Sequence, residues 1–527
     1  MAVPPRFSHA GVARLPWQGV GERRGPSPRL DKPAVPHSLV GRGAWRLAAF
    51  TAAALVVSGS SASAAEQVPP PQGSYAVVVS AKTYADGAWR PVVDALRTKY
   101  AASIITWQSG VREAQGDLAA AMPNYTCFVA PPQECGRDFV VAVHRMTRRL
   151  DADPYTDTLW GILTGYTADD ALRIARQREP LTLRKVLSGT SGAPFGAFDE
   201  GAVFDERKAG GMRLKSADGK VQDKGCPPDS TRSIVDYFNK EKPDCFITSG
   251  HATQHDWQIG YSFKGGQLRH KDGQVFGLDT QGQRYDILSP NPKVHLPSGN
   301  CLIGEVSGPD CMVTSLIHSA GVIQMFGYTV STWYGKGGWG IQEYYLGQPG
   351  RFTLSEAFFA NTQALLHEIE TRHPAAAKVD FEQYDLEKNR RLMAELSAKH
   401  GISGRDELGL LWDRDTVAFY GDPAWQARPA GRKLAWDPSL AVEGNRTTFT
   451  LAANEGGTWP GSPIVALLPQ RVANVRMVKG EDLKAVVTEN FILVPMKGRF
   501  QAGDKTEIVF EADQPASPSR EKVARQG

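Results

Sequence analysis

Between residues 75 and 150 the chain alternates two hydrophobic periods, and this alternation restricts the fold more than any single motif. "YAVVVSA" (75–81) is a continuous apolar run of strand length. "WRPVVDALRTKY" (89–100) then places Val92, Val93, Leu96 and Tyr100 at helical spacing. "SIITW" (103–107) reads as a strand, "VREAQGDLAAAM" (111–122) as a helix, "YTCFVA" (125–130) as a strand and "DFVVAVHRMTRRL" (138–150) as a helix. Strands that are apolar on both faces need cover on both faces, and intervening helices supply it. The expected class is α/β, with a mostly parallel sheet flanked by helices.

The pattern resumes downstream. "STRSIVDYFN" (230–239) reads as a helix capped by Ser230 or Thr231, and "DCFITSG" (244–250) as a strand. "VHLPSGNCLIGEV" (294–306) is extended but broken by Pro and Gly. "CMVTSLIHSAG" (311–321) is a short helix that Asp310 can cap and Gly321 can stop, and "VIQMFGYTVSTWYG" (322–335) is a strand with its exit loop. In "TLSEAFFANTQALLHEIE" (353–370), Thr353 and Glu356 form a capping box, and Leu354, Phe358, Leu365 and Ile369 share one face. From about residue 434 short runs such as "RTTFTLAA", "SPIVALLP" and "NFILVPMKGRF" alternate with turn residues, the pattern of a small antiparallel sandwich. The expected organisation is a leader (1–65), an N-terminal α/β subdomain (66–180), a second α/β subdomain (181–430), a β-sandwich (434–512) and a disordered tail (513–527).

The leader carries an address. In "GRGAWRLAAFTAAALVVSGSSASAAEQ" (41–67), Arg42 and Arg46 precede an apolar core from Leu47 to Val57, and Ala62-Ser63-Ala64 offers a small-x-small cleavage site. This reads as a secretory signal around 41–65, too short for a permanent membrane span, so the expected location is secreted or periplasmic. An exported chain can pair cysteines, and Cys127/Cys135 and Cys301/Cys311 are the close pairs among its 6 cysteines. The charge balance, 60 basic against 56 acidic residues, gives no polyanion-binding surface, so nucleic acid is not an expected partner.

The chemistry concentrates in "CFITSGHATQHDW" (245–257). Its two histidines admit three readings. They could be polar loop residues. They could ligate a metal, although the zinc-protease pattern needs a Glu after the first His and Ala252 stands there. Or His251, at the C-terminal end of a parallel strand, could serve as a general base. The matching nucleophile would then be Cys301, in "SGNCLIGEVSGPDC" at the end of the next extended segment. A neighbouring imidazolium favours its thiolate.

The order of these features resembles the gingipain-type cysteine peptidases of the caspase-like clan. In that family a strand-end His is the base, and the nucleophile sits in a Cys-x-x-Gly-acidic segment with another Cys about ten residues on. Cys301, Gly304, Glu305 and Cys311 fill those places. An apolar strand with a Ser/Thr-rich exit and a Trp follows, matched by Thr329, Ser331, Thr332 and Trp333; the closing Gly-Asp-Pro is matched in "FYGDPAWQAR" (419–428). The resemblance covers roughly residues 75 to 512.

The resemblance implies a caspase-like α/β sheet of two subdomains, an immunoglobulin-like sandwich and cysteine endopeptidase activity on polypeptide substrates. Cys301 would be the nucleophile and His251 the base. The backbone N–H groups of Ala252 and Cys301 would form the oxyanion hole, Ala252 standing where the family carries Gly. Asp157, in an acidic stretch with Asp151, Asp153, Asp169 and Asp170, would orient the His; the same acids could instead be caps, solvated positions or a calcium site. Trp333, with Trp339 in the same Gly-rich loop, would shape the substrate pocket. No cofactor or catalytic metal is required, structural calcium is compatible, and the expected state is a monomer. His255 receives no role, and His318 a structural one. Two alternatives stay open: a non-catalytic binding module with Cys301 disulfide-bonded to Cys311, and a hydrolase whose metal is held by His251 and His255.

Overall fold

A computed structural model describes residues 74–513 except 382–383, 385–393, 396–397, 400 and 402–404. The expected export signal and nearly all of the expected tail lie outside the described residues. The alternating segment forms three parallel strands, β1 (Tyr75–Ser80), β2 (Ser103–Trp107) and β3 (Tyr125–Val129), and a fourth that the sequence pattern does not mark, β4 (Leu159–Leu163), joins them in the order β2-β1-β3-β4. β1, β3 and β4 are buried along their whole length, which is why their sequences lack polar alternation. The helices Arg90–Tyr100 and Arg137–Thr147 bury Val92, Val93 and Leu96, and Val140, Val143 and Met146, in the core.

After β5 (Leu181–Leu183) the sheet continues through β6 (Lys185–Ser188), β7 (Glu200–Phe204), β8 (Met212–Lys215), β9 (Val221–Asp223) and β10 (Cys245–Thr248). The chain then leaves it as a five-stranded antiparallel sheet, β11 (Ala252–Thr253), β12 (Asp256–Gln258), β13 (Gln267–Lys271), β14 (Gln274–Leu278) and β15 (Arg284–Asp286). It returns through β16 (Lys293–Pro297), β17 (Val322–Tyr328) and β18 (Val417–Tyr420). The completed order is β2-β1-β3-β4-β18-β17-β16-β10-β6-β7-β8-β9, twelve strands.

β18 decides how the two halves meet. It runs parallel to β4 and antiparallel to β17. β17, β16, β10, β6 and β7 are mutually parallel. The two parallel blocks therefore point in opposite directions, and the C-terminal ends of β10 and β16 share a sheet edge with the N-terminal ends of β1 to β4.

Buried polar contacts fix β18 at both ends. Ahead of it, fully buried Asp415 meets Arg148 at 2.8 Å, Arg145 at 3.3 Å and Arg414 at 3.2 Å, and accepts a hydrogen bond from Tyr384 at 2.8 Å. Burial opposes ionisation there, but Arg148 and Arg414 hold the carboxyl well below the usual range. Behind it, Asp422 accepts from Tyr75 at 2.9 Å, Tyr100 at 2.7 Å and Lys99 at 2.9 Å, stitching the Gly-Asp-Pro segment to the first block.

β19 (Ala427–Pro429) pairs with β5, and antiparallel strands follow. β20 (Trp436–Glu443), β21 (Arg446–Ala453), β24 (Ala473–Lys479) and β28 (Lys505–Asp513) form one sheet in the order β20-β21-β28-β24. β23 (Ile464–Leu467), β25 (Val486–Val487) and β26 (Phe491–Val494) form a second, and β22 (Gly457–Thr458) with β27 (Arg499–Phe500) a short ribbon. Alternate residues of β21 are buried, and Phe449, Leu451, Ile492 and Phe510 build a core of their own. Among the described residues no helix is long and apolar enough to cross a membrane.

Two expected local features differ. Ser230 makes no side-chain cap; Asp229 instead accepts from the Thr231 N–H at 3.0 Å and its hydroxyl at 2.6 Å. Asp310 does not cap the helix Met312–Ser319, whose cap is Cys311 with Thr314.

Asp415→Asn removes the charge that three buried guanidinium groups share. It is expected to lower stability by about 3–5 kcal/mol, read as a fall in the denaturant midpoint; a midpoint unchanged within error would show that the cluster does not hold β18.

Candidate active site

The parallel pairing of β10 with β16 sets the site. Thr248 lies opposite Pro297, so β10 and β16 end side by side and the segments bearing His251 and Cys301 leave from neighbouring strand ends. Past β10 the chain turns at Gly250, whose φ of +87° belongs to the left-handed region that glycine enters without a Cβ penalty. His251 emerges exposed, its ring stacked on Tyr261 with centroids 5.2 Å apart and planes 21° apart.

Asn300 joins the two strand ends. Its Oδ1 accepts from Thr248 Oγ1 at 2.7 Å, and its Nδ2 donates to the Gly250 carbonyl at 3.1 Å. The Thr248 hydroxyl spends its one proton on Asn300, so its 3.0 Å contact with His295 Nε2 makes the imidazole the donor. Burial pushes His295 down to about 3, which keeps this ring neutral. A fully buried chain, His295 to Thr248 to Asn300, thus fixes the residue before Cys301 against the residue before His251.

The Cys301 turn is held tightly. Leu302 has φ +56°, uncommon for a non-glycine residue and costly unless the surroundings enforce it. They do: Leu302 N–H donates to Val330 O at 2.9 Å and Gly304 N–H to Tyr328 O at 2.9 Å. Gly304 crosses β17 so closely that a Cβ there would lie 2.3 Å from Gly327 O. Cys301 is half-buried, and its Sγ accepts the Thr332 N–H at 3.2 Å.

Ala252 stands at a normal backbone angle, so its Cβ costs nothing. Gln258 N–H donates to His251 O at 2.9 Å, making 251/258 the hydrogen-bonded pair of the hairpin. Alternation makes 252/257 the non-hydrogen-bonded pair, so the Ala252 N–H points away from β12.

No family model, curated protein or solved structure matches the chain. The site is therefore read from its own geometry.

Several expected positions move. All six cysteines are free thiols: Cys301 faces Thr332, Cys311 caps its own helix and Cys135 reaches Thr164 at 3.6 Å, so neither expected disulfide forms. His251 and His255 do not converge; their spacing falls on a hairpin rather than a helix, and the ring of each meets a different partner, Tyr261 and His270.

Asp157 is not positioned to orient His251. It lies two residues ahead of β4, on the same sheet edge but four strand positions from β10, about 19 Å at ~4.8 Å per strand. Its carboxylate takes the Leu150 N–H at 3.0 Å, and its carbonyl binds Arg471 and Asn490. Burial, then Asp151 and Glu489, push its carboxyl up to about 8. Asp151, Asp153 and Glu489 offer oxygens within 4.8 Å of one another, the residues that could hold a structural cation. Asp170 completes the capping box of the helix Ala168–Arg176 and bonds His318 at 2.9 Å, a structural role for both.

Trp333 is half-buried and packs edge-on against Trp412, with ring centroids 6.4 Å apart, at the rim of the core. Trp339 is 38% exposed and lies over the Cys301 turn: a Cβ on Gly299 would meet its indole at 3.0 Å, and one on Gly335 at 3.4 Å. Glycine spacing around an aromatic was the available signal for it. Tyr261, Glu206 and Asn300 had no such signal. Glu206, at the end of β7, accepts from the backbone and hydroxyl of Ser191, and its carbonyl accepts the Tyr261 N–H at 2.6 Å. It supports the aromatic under His251 from below.

The site residues are an exposed imidazole, a half-buried thiol and an exposed indole. A cavity of about 630 Å³ lies elsewhere, between β8 and the helix Thr231–Glu241. Asn300→Ala leaves the Gly250 carbonyl and the Thr248 hydroxyl without their partner and is expected to cost about 2–3 kcal/mol while changing the alkylation rate of Cys301. Unchanged values of both would remove Asn300 from the site.

Proposed function

We propose that the chain is an exported cysteine endopeptidase of the gingipain type, built on a caspase-like sheet with an immunoglobulin-like sandwich behind it. The observation that carries this reading is the Asn300 bridge, which sets a free thiol and an exposed imidazole on neighbouring strand ends.

In the proposed reaction His251 takes the proton of Cys301, and the thiolate attacks the scissile carbonyl carbon. The carbonyl oxygen becomes an oxyanion, which the N–H groups of Cys301 and Ala252 receive. Collapse breaks the C–N bond, and His251 returns its proton to the leaving amine. Water, deprotonated by His251, then cleaves the thioester and restores the thiol. No metal enters these steps. Tyr261 orients the imidazole by stacking, and Trp339 forms a wall for the substrate chain. The segment 41–65 is read as the export signal, and the enzyme is read as a monomer.

Cys301→Ala is expected to reduce hydrolysis of unfolded protein and fluorogenic peptides by at least about 10³-fold and to abolish labelling by a peptidyl thiol-directed inhibitor. Hydrolysis that survives this change would overturn the assignment. Trp339→Ala, at an exposed position, is expected to raise KM about 10-fold with a smaller change in kcat; an unaltered KM would exclude it from substrate binding.

A further inference from the structure

The hairpin that begins at His251 carries a second histidine that the proposed chemistry leaves unused. β12 pairs with β13 so that Asp256 faces Arg269, which brings His255 beside His270. His255 Nδ1 lies 3.2 Å from His270 Nε2, with the rings 5.4 Å apart and inclined at 36°. His255 is exposed, whereas the His270 side chain is only 5% exposed, so this pair opens to solvent from one side. The other nitrogen of His270, Nδ1, is 2.9 Å from Asp310 Oδ1. Asp310 is itself fixed by the Gly273 N–H at 3.3 Å. The adjoining helix is tied back to the hairpin, since Met312 N–H donates to Gln254 O at 2.8 Å.

Proton accounting defines what sits between the rings. A carboxylate only accepts, so His270 Nδ1 carries a hydrogen, and neutral His270 presents a bare lone pair at Nε2. That lone pair faces His255 Nδ1 across a gap that one proton or one cation can fill. Two imidazole nitrogens bound tetrahedrally at about 2.0–2.1 Å are about 3.3–3.4 Å apart, close to the observed 3.2 Å. A carboxylate on the far nitrogen of a ligand histidine is the usual outer partner of a metal site; it sets the tautomer and raises basicity.

We propose that His255 Nδ1 and His270 Nε2 form a two-histidine site for a divalent transition ion, with Asp310 as the positioning residue. Imidazole selects zinc, copper or nickel over calcium and magnesium, and water fills the remaining positions. Bound metal clips the turn between β11 and β12 to β13. The site does not depend on the peptidase reading, because neither His251 nor Cys301 contributes to it.

Zinc titration by calorimetry, with excess Ca²⁺ to fill oxygen sites, tests this in the Cys301→Ala/His251→Ala protein, which lacks the other Cys–His pair. The expected result is one bound Zn²⁺ that His255→Ala, a change at an exposed position, weakens at least about 100-fold. Asp310→Asn should weaken it about 10–100-fold with the melting temperature of the metal-free protein preserved. Zinc binding that is equal in His255→Ala and its parent, or absent from the parent up to millimolar concentration, would overturn the proposal.

Discussion

Strand β18 is the constraint on which the architecture rests. Two parallel blocks would each present an open edge of unpaired backbone groups, a liability for any sheet. β18 closes both by pairing parallel with β4 and antiparallel with β17. It contributes only four residues, so its position depends on what holds its ends. Asp415 among three guanidinium groups and Asp422 among Tyr75, Tyr100 and Lys99 do this with buried, charge-assisted contacts. The opposed directions of the blocks follow, and so does the sheet edge at which His251 and Cys301 emerge.

At that edge, position is fixed by neutral hydrogen bonds rather than by ion pairs. The His295–Thr248–Asn300 chain carries no charge, lies wholly in the interior, and ends on the carbonyl next to His251. Cys301 is placed by the left-handed Leu302 and by the contact of Gly304 with Gly327, both held by β17. The strain stored at Leu302 is offset by strand hydrogen bonds on either side. His251, by contrast, stands exposed at the start of a hairpin with its ring stacked on Tyr261.

Much of the local structure was legible in the chain. The alternation from 75 to 150 became β1 to β3 with their helices, the Thr353/Glu356 box caps its helix, and the terminal runs formed antiparallel sheets. Periodicity reports which faces are buried, and these elements are buried as their patterns require. The site was legible in part. His251 and Cys301 fall at adjacent strand ends, because a strand followed by Ser-Gly-His marks such an end. Asp157 was misplaced because proximity in a motif says nothing about lateral order in a sheet, and β18 inserted itself between β4 and β17. The histidine pair was misread because four-residue spacing converges on a helix but diverges on a hairpin.

By itself the sequence determined the periods, the caps, the glycine turns and the identity of a thiol and an imidazole at strand ends, since all of these depend on residues near in the chain. Only the tertiary structure decided the strand order, the opposition of the two blocks, the Asn300 bridge and the meeting of His255 with His270 and Asp310. Those contacts join residues tens to hundreds of positions apart. They are set by which edges pair and which side chains can satisfy one another once buried, information that no local pattern contains.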